Sequence, residues 1–184
     1  MKTYPVAVLV GSLRRESINR QLATAMTKLA PASLSFYTVE LGELPLYNGD
    51  LEESRPESVT RFTAQCARAD AFFIVTPEHN RSLPAALKNA LDWGSKPMDQ
   101  NVWRDKPVAL SGASPGGAGT AVGQQHLRQI MGSILGSAVL GGEIYITYKP
   151  ELIDAQGNIA IESTRQFLTT YMERFAAFVA KNVG

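Results

Sequence analysis

The chain has 184 residues, of which 45% are hydrophobic and 19% charged, and 18 Lys and Arg against 17 Asp and Glu leave a formal net charge of +1. This composition excludes a polybasic nucleic-acid binder, because no excess of cations is available to neutralise phosphates, and it excludes an acidic disordered chain. A single cysteine, Cys66, excludes a disulfide scaffold and a cysteine-ligated metal centre, and the length corresponds to one domain over residues 1–184.

The sequence contains no apolar run close to the roughly 20 residues that span a bilayer, so we expect no membrane partner. The first apolar run is short and is followed at once by Gly11, Ser12 and two arginines, whereas a signal peptide needs a longer run and a small-residue cleavage site. We therefore expect a cytoplasmic protein. Two histidines far apart in sequence have no ligand spacing, so we expect no metal site.

The first half of the sequence alternates short apolar runs with segments of helical period. Val6–Val10 is a valine-rich run bounded by Pro5 and Gly11, which is typical of a strand buried on both faces. A helix from Ile18 to Leu29 follows and is closed by Pro31. The pattern continues with a strand at Leu34–Val39, a helix opened by Pro56 with Val59, Phe62, Cys66 and Ala69 on one face, and a strand at Ala71–Thr76.

The second half repeats this alternation. Ser82 is suited to cap a helix with Pro84 in its first turn and an apolar face through Leu91. A strand at Pro107–Ser111 and a Gly-rich loop lead to a helix whose apolar face contains Leu127, Ile130, Met131 and Ile134, with His126 beside it as a structural hydrogen bonder. The fifth strand is predicted within Ala138–Tyr148, broken at Gly141-Gly142, and a last helix runs from Leu168 to Val179.

Alternating strands and helices favour parallel pairing with right-handed crossovers, and so an open α/β sheet with helices on both faces. Periodicity leaves the strand order open between the flavodoxin-like order 2-1-3-4-5 and the Rossmann order. In either case ligands bind at the carboxyl ends of the strands, where three loops of unusual composition lie: Gly11–Asn19, Pro77–Ser82 and Gly112–Gly119.

These loops have the chemistry of an anion and heterocycle site. The first, GSLRRESIN, combines a glycine turn, hydroxyl and amide side chains, and Arg14 and Arg15, and it enters a helix whose N-terminus attracts anions. It lacks the Walker and G-x-G-x-x-G patterns, and a bland alternative is a helix start capped by Ser17. The second, TPEHNRS, is suited to present backbone amides to a flat ring, and the glycines of the third allow close backbone approach.

Three motifs together resemble the NADPH-dependent FMN reductase family, which includes bacterial quinone and chromate reductases. They are G-S-L-R-x-x-S-x-N, P-E-x-N-x-S-x-P-x-x-L-K-N-x-x-D-W and K-P-V-x-x-x-x-A-S-P-G-G-x-G, and they span most of the chain. The resemblance implies a flavodoxin-like, doubly wound, five-stranded parallel sheet of order 2-1-3-4-5. It also implies non-covalent FMN, NADPH or NADH as the donor of a hydride, and two-electron, ping-pong reduction of quinones, chromate, azo or nitro compounds, or ferric complexes.

The resemblance also implies the residues of the FMN site, by position along the motifs. No side chain is expected to act as a nucleophile or general base, because the flavin supplies the redox chemistry. The phosphate would be held by Ser12, Leu13, Arg14, Ser17, Ile18 and Asn19, the ring segment would be Pro77, Glu78, His79 and Asn80, and the second wall would be Ser114, Gly116 and Gly117.

The chain departs from the family pattern at four positions. His79 replaces a usual Tyr and Arg81 replaces a usual Gly or Tyr, so we predict that one of them tunes the flavin or meets the donor. Family dimers pair into tetramers through an Arg, Tyr and Glu set, for which this chain has Val122, Gln125 and Glu143. We therefore expect a homodimer. A homotetramer is also expected, but two of the three side chains of the family's tetramer contact are replaced in this chain.

Two other functions stay open from the sequence. A flavodoxin-type electron carrier would share the fold, but such carriers are usually strongly acidic and have a Thr/Ser-rich phosphate loop. A free-flavin reductase would release FMN to a partner enzyme instead of retaining it. Cys66 lies on the apolar face of its helix, where a buried structural thiol is the expected role.

Overall fold

The computed structural model describes residues 2–183, which form one parallel sheet with helices on both faces. The strands are β1 (Tyr4–Val10), β2 (Leu34–Thr38), β3 (Ala71–Val75), β4 (Pro107–Ser114), β5 (Ala138–Val139) and β6 (Tyr145–Thr147). The helices are α1 (Ile18–Thr27), α2 (Glu57–Ala67), α3 (Ala85–Gly94), α4 (Ala121–Gln129) and α5 (Glu162–Val183).

The sheet has the order β2-β1-β3-β4-β5, so the flavodoxin-like order is confirmed over the Rossmann order. All strand pairs are parallel, and β1 pairs with both β2 and β3. The order reverses between β1 and β3, because the chain leaves β2 at one edge and returns to the other side of β1. Ligand crevices of such sheets open at this point, above the carboxyl ends of the strands.

The fifth position of the sheet is filled by two short strands instead of one. β5 pairs with Pro107 and Val108, and β6 pairs with Gly112 to Ser114, so neither covers Leu110. The hydroxyl of Tyr171, on α5, fills the gap: it donates to the carbonyl of Leu110 at 2.8 Å and accepts from its N–H at 3.1 Å. The expected break at Gly141-Gly142 is therefore confirmed, and a tyrosine takes the place of the missing backbone.

Two apolar layers lie on opposite faces of the sheet. One packs Leu22 and Met26 of α1 and Phe175 of α5 against β1, β3 and β4. The other packs α2, α3 and α4 against the opposite face, with the fully buried Trp93 and Trp103 at its centre. Alternate residues of each central strand enter each layer, which explains why these strands are apolar throughout.

Two details of the helices correct the sequence predictions. Ser82 does not cap α3: Pro84 occupies the N-cap position without a side-chain cap, because the Ser82 hydroxyl lies 3.1 Å from Nδ1 of His126. α4 continues as a wider, π-helical turn over Ile130–Ile134, in which the N–H of Leu135 donates to the carbonyl of Ile130. The extra residue in this turn rotates the apolar face, so Leu135 is buried and Ile134 is 71% exposed.

Cys66 is a buried thiol, as predicted. It is fully buried in the apolar layer formed by α2, α3 and α4, and burial raises its pKa to about 12. The ammonium of Lys106 lies beside it and donates to the last carbonyls of α2, those of Cys66 and Ala67. These contacts stabilise the negative end of that helix, although burial lowers the pKa of Lys106. None of the helices within residues 2–183 is both long and apolar enough to cross a bilayer.

Candidate functional site

The carboxyl ends of β1, β3 and β4 surround a cavity of about 260 Å³. Loops from all three strands enter its wall, so the predicted convergence of the three motifs is observed. The predicted residues that line it are Ser12, Arg14, Ser17, Ile18, Asn19, Pro77, Glu78, His79 and Ser114. Leu13, Asn80, Gly116 and Gly117 lie on the same loops but outside the cavity wall.

The first loop places hydrogen-bond donors and a cation at the start of α1. Ser17 caps α1, since its hydroxyl accepts the N–H of Arg20 at 3.3 Å. The predicted capping of the helix start by Ser17 is therefore confirmed. The N–H groups of Leu13, Ile18 and Asn19 find no acceptor within the described part of the chain. Those of Ile18 and Asn19 lie at the positive end of the α1 dipole, and Arg14 lines the same cavity and has no ion-pair partner within residues 2–183.

Two glycines allow the strands to meet at this edge. A Cβ on Gly11 would lie 2.4 Å from Oγ1 of Thr76, and a Cβ on Gly112 would lie 2.2 Å from the carbonyl oxygen of Thr76 and 2.3 Å from Oγ1 of Thr120. Real Cβ atoms do not approach other atoms so closely. Thr76, directly after β3, is therefore packed between the ends of β1 and β4 because both of these positions lack a side chain.

Asn19 has a role that its motif did not reveal. Its amide group accepts the N–H of Ala113 at 2.8 Å and donates to the carbonyl of Ala113 at 2.9 Å, and its side chain is buried. The ladder between β3 and β4 stops at Ser111, so Asn19 takes over where β3 has ended. The amide thereby locks the start of α1 to the end of β4, and its main role is to position the two walls.

The second loop is a tight two-residue turn. His79 and Ser82 exchange backbone hydrogen bonds of 3.0 and 2.9 Å, and Asn80 and Arg81 between them have φ of 50° and 62°. Positive φ at both central positions is the pattern of a type I′ turn, in which glycine is favoured. Arg81 therefore occupies a position where its side chain costs conformational energy.

Glu78 connects this turn to α4. One carboxylate oxygen accepts the N–H of Gly123 in the first turn of α4 at 3.0 Å, and the other lies 3.4 Å from the guanidinium of Arg81. The Glu78 side chain is only 10% exposed, while that of Arg81 is 72% exposed. Glu78 therefore fixes the second loop against the helix that follows the third loop, and Arg81 points its charge to solvent.

The third loop contributes Ala113, Ser114 and Pro115 to the wall. Ser114 ends β4, and its hydroxyl accepts the N–H of Gly116 at 3.1 Å while its carbonyl accepts the N–H of Tyr148. Gly117 is open, since a Cβ there would meet no atom within 4 Å. Gly116 and Gly117 thus form an exposed rim beside the cavity rather than part of its wall.

Tyr148 lines the cavity and was missed by the sequence reasoning. It directly follows β6, and its side chain is partly buried against the apolar layer that contains α1 and α5. A signal was available: the predicted fifth strand ended at Tyr148, and the carboxyl ends of all parallel strands lie at the same edge.

A polar cluster lies on the outer surface near α4. The amide of Gln125 donates to the carboxylate of Glu143 and, at 2.7 Å, to the hydroxyl of Tyr145. Burial and the bond with Glu143 raise the pKa of Tyr145. Gln125 and Glu143 of the predicted contact set therefore pair within the chain and leave less of Glu143 free for a neighbouring copy.

Comparison with known proteins identifies the family. The model of the family described as NADPH-dependent FMN reductase matches residues 4–151. The chain belongs to the NADPH-dependent FMN reductase family. It is 49% identical over 174 residues to a 2-hydroxy-1,4-benzoquinone reductase of Burkholderia sp., covering 95% of each chain, and 44% identical to a quinone reductase of Pseudomonas putida, covering 98% of this chain and 97% of that one.

A solved structure of the same size also matches. FerB of Paracoccus denitrificans, a flavoenzyme NAD(P)H:(acceptor) oxidoreductase, superposes with a TM-score of 0.93 at 39% identity, over 98% of this chain and 99% of that chain. The whole described fold is therefore shared with this flavoenzyme, including the segment 152–183 that lies beyond the matched family model.

The donor set of the cavity fits the phosphate end of FMN. It combines hydroxyls of Ser12 and Ser17, the cation of Arg14 and free N–H groups at a helix N-terminus, which are the groups that bind phosphate in proteins. Two acidic residues, Glu16 and Glu78, line the wall, and the carboxylate of Glu78 already accepts a backbone N–H. The family membership and the local chemistry therefore agree on FMN.

Proposed function

We propose that this chain is an NAD(P)H-dependent, FMN-containing reductase that transfers two electrons to quinones. The observation that carries the proposal is the cluster of unpaired donors around the start of α1, in a chain that belongs to an FMN reductase family. Two relatives named as quinone reductases support a quinone as the acceptor.

Each loop would hold a different part of FMN. The Ser12 and Ser17 hydroxyls, the Arg14 guanidinium and the N–H groups of Leu13 and Ile18 would bind the phosphate. The segments 77–80 and 114–117 would border the isoalloxazine ring through their backbone, with Asn80, Gly116 and Gly117 at the rim. Asn19 and Glu78 would keep the three loops at a fixed spacing, because their polar groups bind the backbone of Ala113 and Gly123.

The protein contributes binding and orientation rather than a reacting side chain. When bound, FMN supplies the hydride acceptor and electron donor of the reaction. Within residues 2–183 the close Ser82–His126 pair lies outside the cavity wall, so it has no place in this chemistry. We therefore assign no catalytic residue and no metal, and we expect ping-pong kinetics with NADPH or NADH as the first substrate.

Several finer properties belong to the same proposal. Chromate, azo and nitro compounds and ferric complexes are further acceptors that an exposed reduced flavin serves. We propose that residues 1–184 act as one domain in a homodimer, and that the homotetramer is weakened because Gln125 pairs with Glu143 within the chain. We propose the cytoplasm as its location, since the one cysteine is free and buried and no disulfide stabilises the fold.

The test measures flavin retention and turnover on the same purified protein. After exhaustive dialysis, the protein should keep FMN and should oxidise NADPH or NADH when a benzoquinone is present. Arg14→Ala should lower FMN affinity by about tenfold or more, because it removes a charge-assisted hydrogen bond to phosphate. Arg104→Ala is the matched control, since Arg104 is an exposed arginine before β4, at the opposite edge of the sheet.

Other results would favour the alternatives. Loss of all FMN on dialysis, with turnover restored by added FMN, would favour a free-flavin reductase. A stable one-electron flavin state on photoreduction, without quinone turnover, would favour an electron carrier. Equal loss of FMN affinity in Arg14→Ala and Arg104→Ala would contradict the proposed phosphate site.

A further inference from the structure

A second cleft of about 470 Å³ adjoins the FMN cavity. We call it the Arg15 cleft; Arg15, Arg20, Gln21 and Thr24 form one wall, and Ile153 and Asp154 lie on the other. Ser17 lines both this cleft and the FMN cavity, so the two are neighbours at the start of α1. Its volume is within the roughly 300–1,000 Å³ of sites that bind small organic ligands.

The α1 wall of the Arg15 cleft is cationic. Arg15 is exposed and has no carboxylate partner in the described part of the chain. Arg20 lies one turn further along α1 and is held by Glu40 through contacts of 3.1 and 3.4 Å. Arg15 is therefore the available cation, and a guanidinium of this kind binds a phosphate through charge-assisted hydrogen bonds.

The opposite wall offers a fixed carboxylate. Oδ1 of Asp154 accepts the N–H groups of Gln156 and Asn158 at 2.9 and 2.8 Å, and Oδ2 accepts from the Asn158 side chain at 3.3 Å. The backbone bond from Asn158, followed by its side-chain bond, lowers the pKa of Asp154, so the group stays ionised at neutral pH. An ionised carboxylate accepts hydrogen bonds from vicinal sugar hydroxyls and repels a phosphate attached to the ribose.

Lys28 keeps the two walls at a fixed distance. Its ammonium, just after α1, donates to the carbonyls of Gln156 and Gly157 at 2.7 and 3.1 Å and to the Asn158 side chain at 3.2 Å. The turn that contains Asp154 is thereby attached to the helix that contains Arg15. The cleft is a built feature of the tertiary structure, and its Asp154 wall lies beyond residues 4–151, the part that matches the family model.

We propose that the Arg15 cleft binds a nucleoside monophosphate joined to the phosphate of the flavin, so that this chain accepts FAD as well as FMN. The second phosphate would contact Arg15, the ribose hydroxyls would contact Asp154, and the base would lie against Ile153. The proposal rests on the proposed flavin site, because the cleft begins at Ser17, where the flavin phosphate would end.

The test is a competition between the two flavins for the full-length protein. The protein, with the flavin it carries, is equilibrated with an equimolar excess of FMN and FAD, freed of unbound flavin and denatured, and the released flavins are quantified. The wild-type protein should release both flavins. Arg15→Ala should lower the bound FAD:FMN ratio by about tenfold with FMN affinity unchanged, and Arg104→Ala should leave the ratio unchanged.

Asp154→Asn provides a second variant that keeps the side-chain shape. It should lower the bound FAD:FMN ratio and, by removing the repulsive charge, should tolerate a phosphorylated ribose better than the wild type does. A wild-type protein that binds FMN but excludes FAD overturns this inference and leaves the proposed function intact. A protein that binds neither flavin contradicts the proposed function itself.

The adenosine end of NADH or NADPH has the same chemistry as that of FAD, so the donor is the second arm of the test. The KM for each donor is measured in the wild type, Arg15→Ala and Arg104→Ala. A rise in KM for the donor in Arg15→Ala, together with an unchanged FAD:FMN ratio, would assign the cleft to the donor and overturn the FAD inference. An unchanged KM with a lowered ratio supports it.

Discussion

Replacing Asn19 by Ala tests how the FMN site is held together. In the wild type, the Asn19 amide satisfies both the N–H and the C=O of Ala113, at a point of β4 that β3 no longer covers. The variant removes both hydrogen bonds in one change. It leaves two backbone groups of a buried residue without partners and releases the start of α1 from the end of β4.

The magnitude follows from the number of groups left unpaired. A buried backbone donor or acceptor without a partner costs about 1–3 kcal/mol, so two such groups should lower the free energy of unfolding by about 2–6 kcal/mol. This loss is large compared with the roughly 5–15 kcal/mol of a typical domain. FMN affinity should fall as well, because the phosphate donors on α1 and the wall at Ser114 are no longer held at a fixed spacing.

Tyr171→Phe is the matched control. The Tyr171 hydroxyl also bonds both backbone groups of one β4 residue, Leu110, but it does so from α5 and away from the cavity. Urea denaturation should show similar losses of stability in both variants, whereas titration with FMN should show weaker binding only in Asn19→Ala. A stability loss below about 1 kcal/mol in Asn19→Ala, or equal loss of FMN affinity in both variants, would refute the positioning role.

Three further predictions concern single positions. Arg81→Gly should raise the free energy of unfolding by about 0.5–1 kcal/mol in urea denaturation, because it relieves a positive φ; a loss would show that the turn is not strained. Gly11→Ala should lower it by about 1–3 kcal/mol, since the new Cβ meets Thr76, and Thr76→Ala should restore part of the loss. Burial raises the pKa of Tyr171 from 10.0 to about 12, so the unfolded chain releases this proton first. Stability should therefore fall between pH 10 and 12, and this fall should be smaller in Tyr171→Phe.

Much of the fold could be predicted from local patterns. Five apolar runs that alternate with amphipathic segments correspond to β1 to β4 and the β5–β6 pair, because strands buried on both faces are apolar throughout. The strand order required the family resemblance, since periodicity carries no information on neighbours. The prediction that Ser82 caps α3 was wrong, because its hydroxyl contacts His126. This residue is 44 positions away, and local capping rules do not include it.

The FMN site, like the fold, could be predicted only in part from the sequence. The phosphate-binding groups could be predicted without a structure, because Ser12, Arg14 and Ser17 lie within one short motif at a helix start. The hydrogen bonds of Asn19 with Ala113, 94 residues away, and the existence of the Arg15 cleft are visible only in the folded chain. Local rules describe backbone groups within a few residues, whereas these contacts form only when distant segments are packed against each other.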